Sequence, residues 1–316
     1  MENSTAKVGR YIDLMFDRGF KRVFGKPANK DLLIALLNAI LPEKGIVDLV
    51  YLNTEMEGLG PESKKTTFDV QCSLGDGSRI IVEVQNSNQA YFKERVLYYA
   101  SLPILEQLDK GDEYRLYPVY VISILDFALK HDDWDGRIRS SYSLREDICG
   151  ERMTDALQFV FLELGRFHKT EAELDNDLEK WYFCLLRMRN LAKRPASMQA
   201  EVFKRLFDVS EVAALPKEEQ EQYIRDMTTE RDIINQKAFA RNEGLEQGRA
   251  EGLAEGLATG LAKGEAIGMS KGRAEGLVEG EAEGRSEVAR AMLLEKIPVE
   301  TIAKVTGLSA EQIRAL

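Results

Sequence analysis

Two short segments, Thr66-Thr67-Phe68-Asp69-Val70-Gln71-Cys72 and Arg79-Ile80-Ile81-Val82-Glu83-Val84-Gln85, alternate apolar and polar residues. Period-two alternation predicts half-buried β-strands. Gly75-Asp76-Gly77 between them suits a three-residue hairpin loop with Gly77 in the left-handed position. With Asp76 at the loop centre, Leu74 pairs with Ser78. Counting back from there sets Asp69 opposite Glu83. Phe68, Val70, Ile80, Val82 and Val84 then form the apolar side, and Gln85 shares the face of Glu83. A bulge between Gln71 and Ile81 would slip this register by one residue and separate the two carboxylates.

The flanking pattern supplies the other elements. Asp13 to Phe24 predicts a short helix with Phe16, Phe20 and Phe24 on one stripe, ended by Gly25-Lys26-Pro27. Asn29 is placed to cap a second helix, Lys30 to Leu41, whose buried face is Leu33, Leu36, Leu37 and Ile40; Pro42 stops it. Ile46 to Leu52 predicts an apolar strand, and Gln89 to Asp109 a helix. Leu116 to Leu125 is a nearly continuous apolar run, as expected of a strand covered on both faces. Ser141–Arg145 and Leu157–Leu164 predict two more strands. The order helix, three strands, helix, strand predicts an α/β fold, a mixed sheet with helices on its faces. From about Glu173 the pattern turns helical, with Leu174 to Asn190 followed by shorter helices broken at Pro195 and Pro216.

The last eighty residues differ in kind. Glycine occupies every fourth position from Gly244 to Gly284, with Leu, Ala, Glu, Lys and Arg between. On an α-helix such a row lies along one face and drifts about 40° per step. Eleven glycines cost an isolated helix about 10 kcal/mol against alanine. Two readings stand: a helix that recovers this cost by close packing against a second copy, or a tetrapeptide expansion without fixed structure. Beyond it, Pro298–Val305 and Ser309–Leu316 predict two short helices around Thr306-Gly307-Leu308, with Ser309 and Gln312 at capping-box spacing. Ala303, Gly307 and Ile313 suit a helix-turn-helix. The second helix opens with Ala310, Glu311 and Gln312, and only Arg314 is basic, so a packing hairpin and a DNA reader both remain open.

Composition narrows the chemistry. No apolar run is long enough to span a bilayer, and Met1-Glu2-Asn3-Ser4 does not open a signal peptide. Cys72, Cys149 and Cys184 are widely spaced, which suits a reducing cytoplasm. With His131 and His168 as the only histidines, a divalent ion would take oxygen ligands, which favours Mg²⁺, Mn²⁺ or Ca²⁺. Opposed like charges destabilise a sheet unless a cation lies between them, so Asp69 and Glu83 read as a pair with a cation between them. The net charge of −10 argues against a nucleic-acid partner. Yet the first thirty residues carry Lys7, Arg10, Arg18, Lys21, Arg22, Lys26 and Lys30 against Glu2, Asp13 and Asp17. That segment is either a phosphate-binding patch or a solvated helix face. Arg95 and Tyr99, one helical turn apart, could face a phosphate backbone; Tyr98 and Tyr99 read equally as packing residues whose hydroxyls reach the surface, and Arg95 as a partner of a phosphate or a carboxylate.

Asp69, thirteen intervening residues, then Glu83-Val84-Gln85 resembles the catalytic pattern of the PD-(D/E)XK nuclease superfamily. Further segments are similar to the Rpn-type recombination-promoting nuclease, or transposase, family. They are Asp17-Arg18-Gly19-Phe20-Lys21-Arg22-Val23-Phe24-Gly25, Asn29-Lys30-Asp31-Leu32-Leu33 with Leu37-Asn38, Asn53-Thr54-Glu55, and Tyr91-Phe92-Lys93-Glu94-Arg95 with Tyr98-Tyr99. The resemblance covers about residues 10–240.

The resemblance implies a restriction-endonuclease-like core and Mg²⁺-dependent endonuclease cleavage of double-stranded DNA, tied to recombination or mobile elements. It implies catalytic roles for Asp69, Glu83, Gln85 and Asp17, with Mg²⁺ held by Asp69, Glu83 and Val84. Gln85 stands where the superfamily usually has lysine; Lys93 or Lys21 could supply that charge. Lys21, Arg22, Lys93 and Arg95 are the expected DNA contacts, with Glu55 and Tyr99 as further candidates. The expected organisation is a nuclease core over 10–165, a helical extension over 166–238, a glycine-repeat oligomerisation helix over 239–287 and a helix-turn-helix-like tail over 288–316. The alternative function is a catalytically weak nuclease fold acting as a DNA- or protein-binding oligomer.

Overall fold

The computed structural model of the 316-residue chain describes residues 9–56, 65–89, 91–108, 111, 113–130 and 136–316, the side chains of 230, 231 and 234 aside. Met1 to Ser4, Lys7, Asp109 and His131 lie outside the described residues. The chain divides into two compact units, Met1–Asp232 and Ile233–Leu316.

In the first unit the described elements run in order. They are α1 (Asp17–Phe24), α2 (Lys30–Ile40), β1 (Leu49–Tyr51), β2 (Glu55–Met56), β3 (Thr66–Thr67), β4 (Val70–Leu74), β5 (Arg79–Gln85), α3 (Phe92–Leu105) and β6 (Val119–Leu125). After these come β7 (Arg139–Ser143), β8 (Leu157–Glu163), α4 (Asp177–Arg187), α5 (Glu201–Val209) and the start of α6 (Lys217–Leu294). Among the described residues six strands form a mixed sheet in the order β1-β4-β5-β6-β8-β7, with β2 and β3 paired separately. β5, β6 and β8 are mutually parallel, and β1, β4 and β7 run antiparallel to their neighbours.

The hairpin register is the one the loop count predicts. Val70 pairs with Val82 and Ser73 with Arg79, and Leu74 N–H donates to the Ser78 carbonyl at 2.8 Å. Gly77 sits at φ +83°, where a side chain would be strained. Extending the register one step sets Asp69 beside Glu83. The first strand is not continuous, however. It bends at Asp69, and Phe68 N–H turns away to the Thr54 carbonyl. Phe68 therefore leaves the apolar face expected for it and packs with Ile81, Phe92, Val96 and Val121 on the opposite side of the sheet.

The sheet is covered on both faces, so β6 is buried along its whole length. One face carries Val70, Cys72, Ile80, Val82, Val84, Ile122 and Ile124 against α1, α2, α4 and α5. The other face carries Ile81, Val121 and Phe161 against α3. α1 starts at Asp17 rather than Asp13. The Asp13 side chain instead accepts a hydrogen bond from Met15 N–H at 3.1 Å, a local turn that competes with helix. Phe20 and Phe24 of α1 are fully buried against each other, and Phe24 meets Trp181. Asn29 precedes α2 without a capping hydrogen bond, since its amide donates to the Val23 carbonyl and ties the two helices together.

In the second unit α6 continues through all eleven glycines to Leu294. A Cβ placed on any of them would meet nothing within 4 Å. α7 (Val299–Thr306) and α8 (Ala310–Arg314) follow, and Ala289, Ile302 and Ile313 form a small buried core. Gly307 ends α7 at φ +71°, and Ser309 and Gln312 form the expected capping box. Among the described residues no helix is long and apolar enough to cross a membrane.

Candidate nuclease site

The bend at Asp69 turns its carboxylate along the edge of β5. Val84 N–H donates to Asp69 Oδ2 at 2.7 Å, and Asp69 N–H donates to Glu83 Oε1 at 3.2 Å. Each acidic side chain thus completes the backbone hydrogen bonding that the strand loses at the bend. Gln85 C=O accepts from Asp126 N–H on the β6 side. By strand alternation, the Val84 N–H and C=O both point to the β4 side, where Asp69 lies. Two carboxylates and a main-chain carbonyl therefore converge on one edge.

α1 closes this edge from its first two turns. Asp17 and Lys21 are one turn apart, with Lys21 Nζ 2.7 Å from Asp17 Oδ1 and 3.3 Å from Asp69 Oδ1. The Asp17 and Asp69 carboxyl groups also share a hydrogen bond. On the other side α3 brings Arg95 into electrostatic reach of Glu83. The Arg95 guanidinium lies 5.7 Å from the centre of the Tyr99 ring, and its Nη1 donates to Gln89.

Burial makes this cluster electrostatically tense. Asp69 and Glu83 are each only 6% exposed. Burial first, and then the hydrogen bond and charge of Asp17, push the Asp69 carboxyl up to about 7. Burial and the neighbouring Asp69 raise Glu83 well above the usual range for a glutamate. Burial also works to raise Asp17, but its hydrogen bonds to Asp69 and Lys21 prevail and hold it low. For Lys21, burial works against the charge, and the contacts with Asp17 and Asp69 more than offset it, so the amine stays protonated. The carboxylates outweigh the positive charge around them, and the shifts at Asp69 and Glu83 favour their protonated forms.

Residues 14–240 match the family model of the PD-(D/E)XK nuclease family transposases. The chain belongs to this family. Residues 282–316 match the C-terminal HTH domain of the Rpn/YhgA-like nuclease family. No curated protein and no solved structure matches the chain. Membership ties the chain to nucleases and to mobile elements, and the helix-turn-helix match ties its C-terminus to a DNA-binding class.

PD-(D/E)XK nucleases use divalent metals, and the donor set here fits one. Among the described residues no three His, Cys, Asp or Glu side chains are grouped to hold an ion by themselves; a site here would combine the side-chain pair with the Val84 carbonyl. All three donors are oxygens, as hard divalent cations require. Gln71 Oε1 and Ser123 Oγ are buried without a hydrogen-bond partner on the face of the sheet that carries Glu83. Such orphaned atoms suit the ordered water that accompanies a partly hydrated ion.

The structure gathers Asp17, Lys21, Asp69, Glu83 and Val84, with Arg95 and Tyr99 flanking and Gln85 half-buried at the end of β5. It does not gather the others. Glu55 is exposed and pairs with Lys65 at 2.7 Å. Arg22 pairs with Glu219 of α6. Lys93 is exposed and lines a shallow depression with Leu97, Tyr142 and Phe159. Two charged groups near this end of the sheet, Asp126 and Arg189, emerge only from the fold. Asp126, at the end of β6, takes part in the main-chain contact with Gln85, and burial raises its carboxyl against the pull of Arg189. Arg189 Nη1 pairs with buried Asp13 at 2.6 Å. The one sequence signal was a carboxylate directly after the fully buried run Val119–Leu125; Arg189 carries none.

Proposed function

We propose that the chain is a Mg²⁺-dependent DNA endonuclease, hydrolysing phosphodiester bonds in double-stranded DNA in the service of recombination or mobile elements. The reading rests on one observation: two buried carboxylates are held side by side, Glu83 by the Asp69 N–H and Asp69 by the Val84 N–H, with too little positive charge to match them. Asp69, Glu83 and the Val84 carbonyl would hold the ion. When bound, a divalent cation supplies positive charge at the scissile phosphate and acidifies a water. Gln85 can orient that water through its amide, and Asp17 keeps Asp69 in place at the mouth of the site. Arg95 is placed to meet a backbone phosphate, with Tyr99 supporting it from below. Mn²⁺ or Ca²⁺ would fit the same oxygen donors.

The test is nicking of supercoiled plasmid with Mg²⁺, Mn²⁺ or Ca²⁺, by the wild type and Asp69→Ala. Cleavage by the wild type alone is expected. Equal cleavage by both would remove the site assignment. No cleavage by the wild type would favour the second reading, a nuclease fold that binds DNA or protein without cutting. That reading draws on the neutral Gln85 and on the internal pairing of Arg18, Arg22 and Lys26 with acids of α6.

The proposal includes self-association through the glycine row. A period of four residues exceeds the helical 3.6, so the row winds right-handed around α6, once in about 54 Å. Two copies would then cross right-handed, as small-xxx-small pairs do. The unpaired Cys72, Cys149 and Cys184 agree with residence in the cytoplasm.

A further inference from the structure

We propose that Lys21 is the catalytic lysine of this site, delivered by α1 in place of the motif strand, where Gln85 stands. The inference rests on the endonuclease reading. Phosphodiester hydrolysis gathers negative charge on the phosphoryl oxygens, and a fixed positive group aimed there lowers the barrier. Gln85 is neutral and cannot supply it. Among the described residues, Lys21 is the one cation in ion-pair contact with the site's carboxylates, at 2.7 Å from Asp17 and 3.3 Å from Asp69.

The rival cations are otherwise engaged. Arg18, Arg22 and Lys26 pair with Asp226 and Glu219, Lys93 lines a depression with Leu97, Tyr142 and Phe159, and Arg95, in electrostatic reach of Glu83 but not in ion-pair contact with it, donates to Gln89. The framework around Lys21 is rigid. Phe20, Val23 and Phe24 on the same helix are fully buried, so α1 has no freedom to carry the amine away. The side chain remains 31% exposed, which leaves the ammonium facing the mouth rather than sealed beneath it.

In the step proposed, the water oxygen forms a bond to phosphorus and the bond from phosphorus to the leaving sugar oxygen breaks. One water proton passes to solvent and the leaving oxygen takes one up; nothing is oxidised or reduced. Lys21 keeps its proton throughout, orienting the water and neutralising a phosphoryl oxygen. A merely structural Lys21 would instead serve only to neutralise Asp17 and Asp69.

Three variants separate these roles: Lys21→Met, Lys21→Arg, and Lys21→Met combined with Gln85→Lys. Plasmid nicking, Mn²⁺ affinity by calorimetry and the melting temperature are measured for each. Lys21→Met should lose at least 100-fold in kcat while its Mn²⁺ affinity at pH 8 changes less than threefold. Lys21→Arg should keep at least a tenth of the activity. Returning a lysine to the motif strand with Gln85→Lys should recover at least tenfold over Lys21→Met. The proposal is overturned if Lys21→Met cleaves like the wild type, if Mn²⁺ affinity or folding falls in step with kcat, or if the double variant recovers nothing. A wild type that cuts no DNA with any metal would overturn the endonuclease reading itself, a result distinct from these.

Discussion

Replacing Asp69 by asparagine should make the metal-free protein more stable, not less. Asparagine keeps an oxygen to accept the Val84 N–H and offers an amide N–H to Asp17, so those two contacts survive without a charge, while the ion pair with Lys21 is lost. The sign follows from the protonation equilibrium. The Asp69 carboxyl is pushed from an ordinary 3.8 up to about 7 in the folded chain, so the folded state binds more protons than the unfolded one. Its penalty is absent below about pH 4, grows as pH rises toward 7 and is constant above. At about 1.4 kcal/mol per tenfold, the gap gives a ceiling of about 4 kcal/mol. The pull of Lys21 is already contained in that shift; the amide's less favourable fit in place of the carboxyl takes some of the gain back, leaving about 1–3 kcal/mol. For a unit of this size that is about 3–10 °C in melting temperature. Melting curves in EDTA from pH 4.5 to 8.5 give the measurement. A variant less stable than the wild type at pH 8, or a gain that does not depend on pH, would refute the electrostatic account.

The same protons should couple to metal. Mn²⁺ affinity measured by calorimetry should rise at least tenfold per pH unit below about 7, as Asp69 gives up its proton and the raised Glu83 carboxyl adds to the dependence; a flat profile would place the ion elsewhere. Gly77→Ala should cost about 1–2 kcal/mol in urea unfolding from the left-handed backbone alone, with the Tyr117 ring, 2.4 Å from the new Cβ, forced outward; an unchanged midpoint would mean the hairpin turns differently. Replacing Gly256, Gly260 and Gly264 by alanine should raise intrinsic helix stability by about 2–3 kcal/mol yet weaken self-association in sedimentation, because the added methyl groups hold two backbones apart; stronger association would show that the glycines have no packing role.

Local pattern and global placement were legible to different degrees. The Asp69–Glu83 opposition was readable because a hairpin register depends only on loop length and alternation, both local. The bend that moves Phe68 to the other face was not. It depends on Phe68 N–H finding Thr54, a partner outside the hairpin. The shortening of α1 had a visible cause in Asp13, a residue that hydrogen-bonds its own neighbours and so prefers turns to helix starts inside an apolar run. The arrival of Lys21 beside Asp69 was not legible, since 48 positions separate them and only the packing of α1 on the sheet brings them together. Arg189 reaches Asp13 across 176 positions, beyond any periodicity.

Charge counting fails here for the same reason. The basic opening segment and the acidic total seem opposed until the pairs are traced. Arg10 meets Glu211, Arg18 meets Asp226, Arg22 and Lys26 meet Glu219, and Lys30 meets Asp48. Most of those acids lie about two hundred residues downstream, and folding lays them over the basic face. Exposed pairs of this kind contribute about 0–1 kcal/mol each, so a phosphate can displace their carboxylates at little cost. The repelled carboxylates still remain beside the phosphate, which weakens the encounter and makes it steeply salt-dependent. Lys21 differs because its partners are the site itself. On the proposed reading, Asp69 and Glu83 would hold a cation that supplies positive charge between them, and Lys21 would keep its 2.7 Å contact with Asp17 while its ammonium stays available to a phosphate.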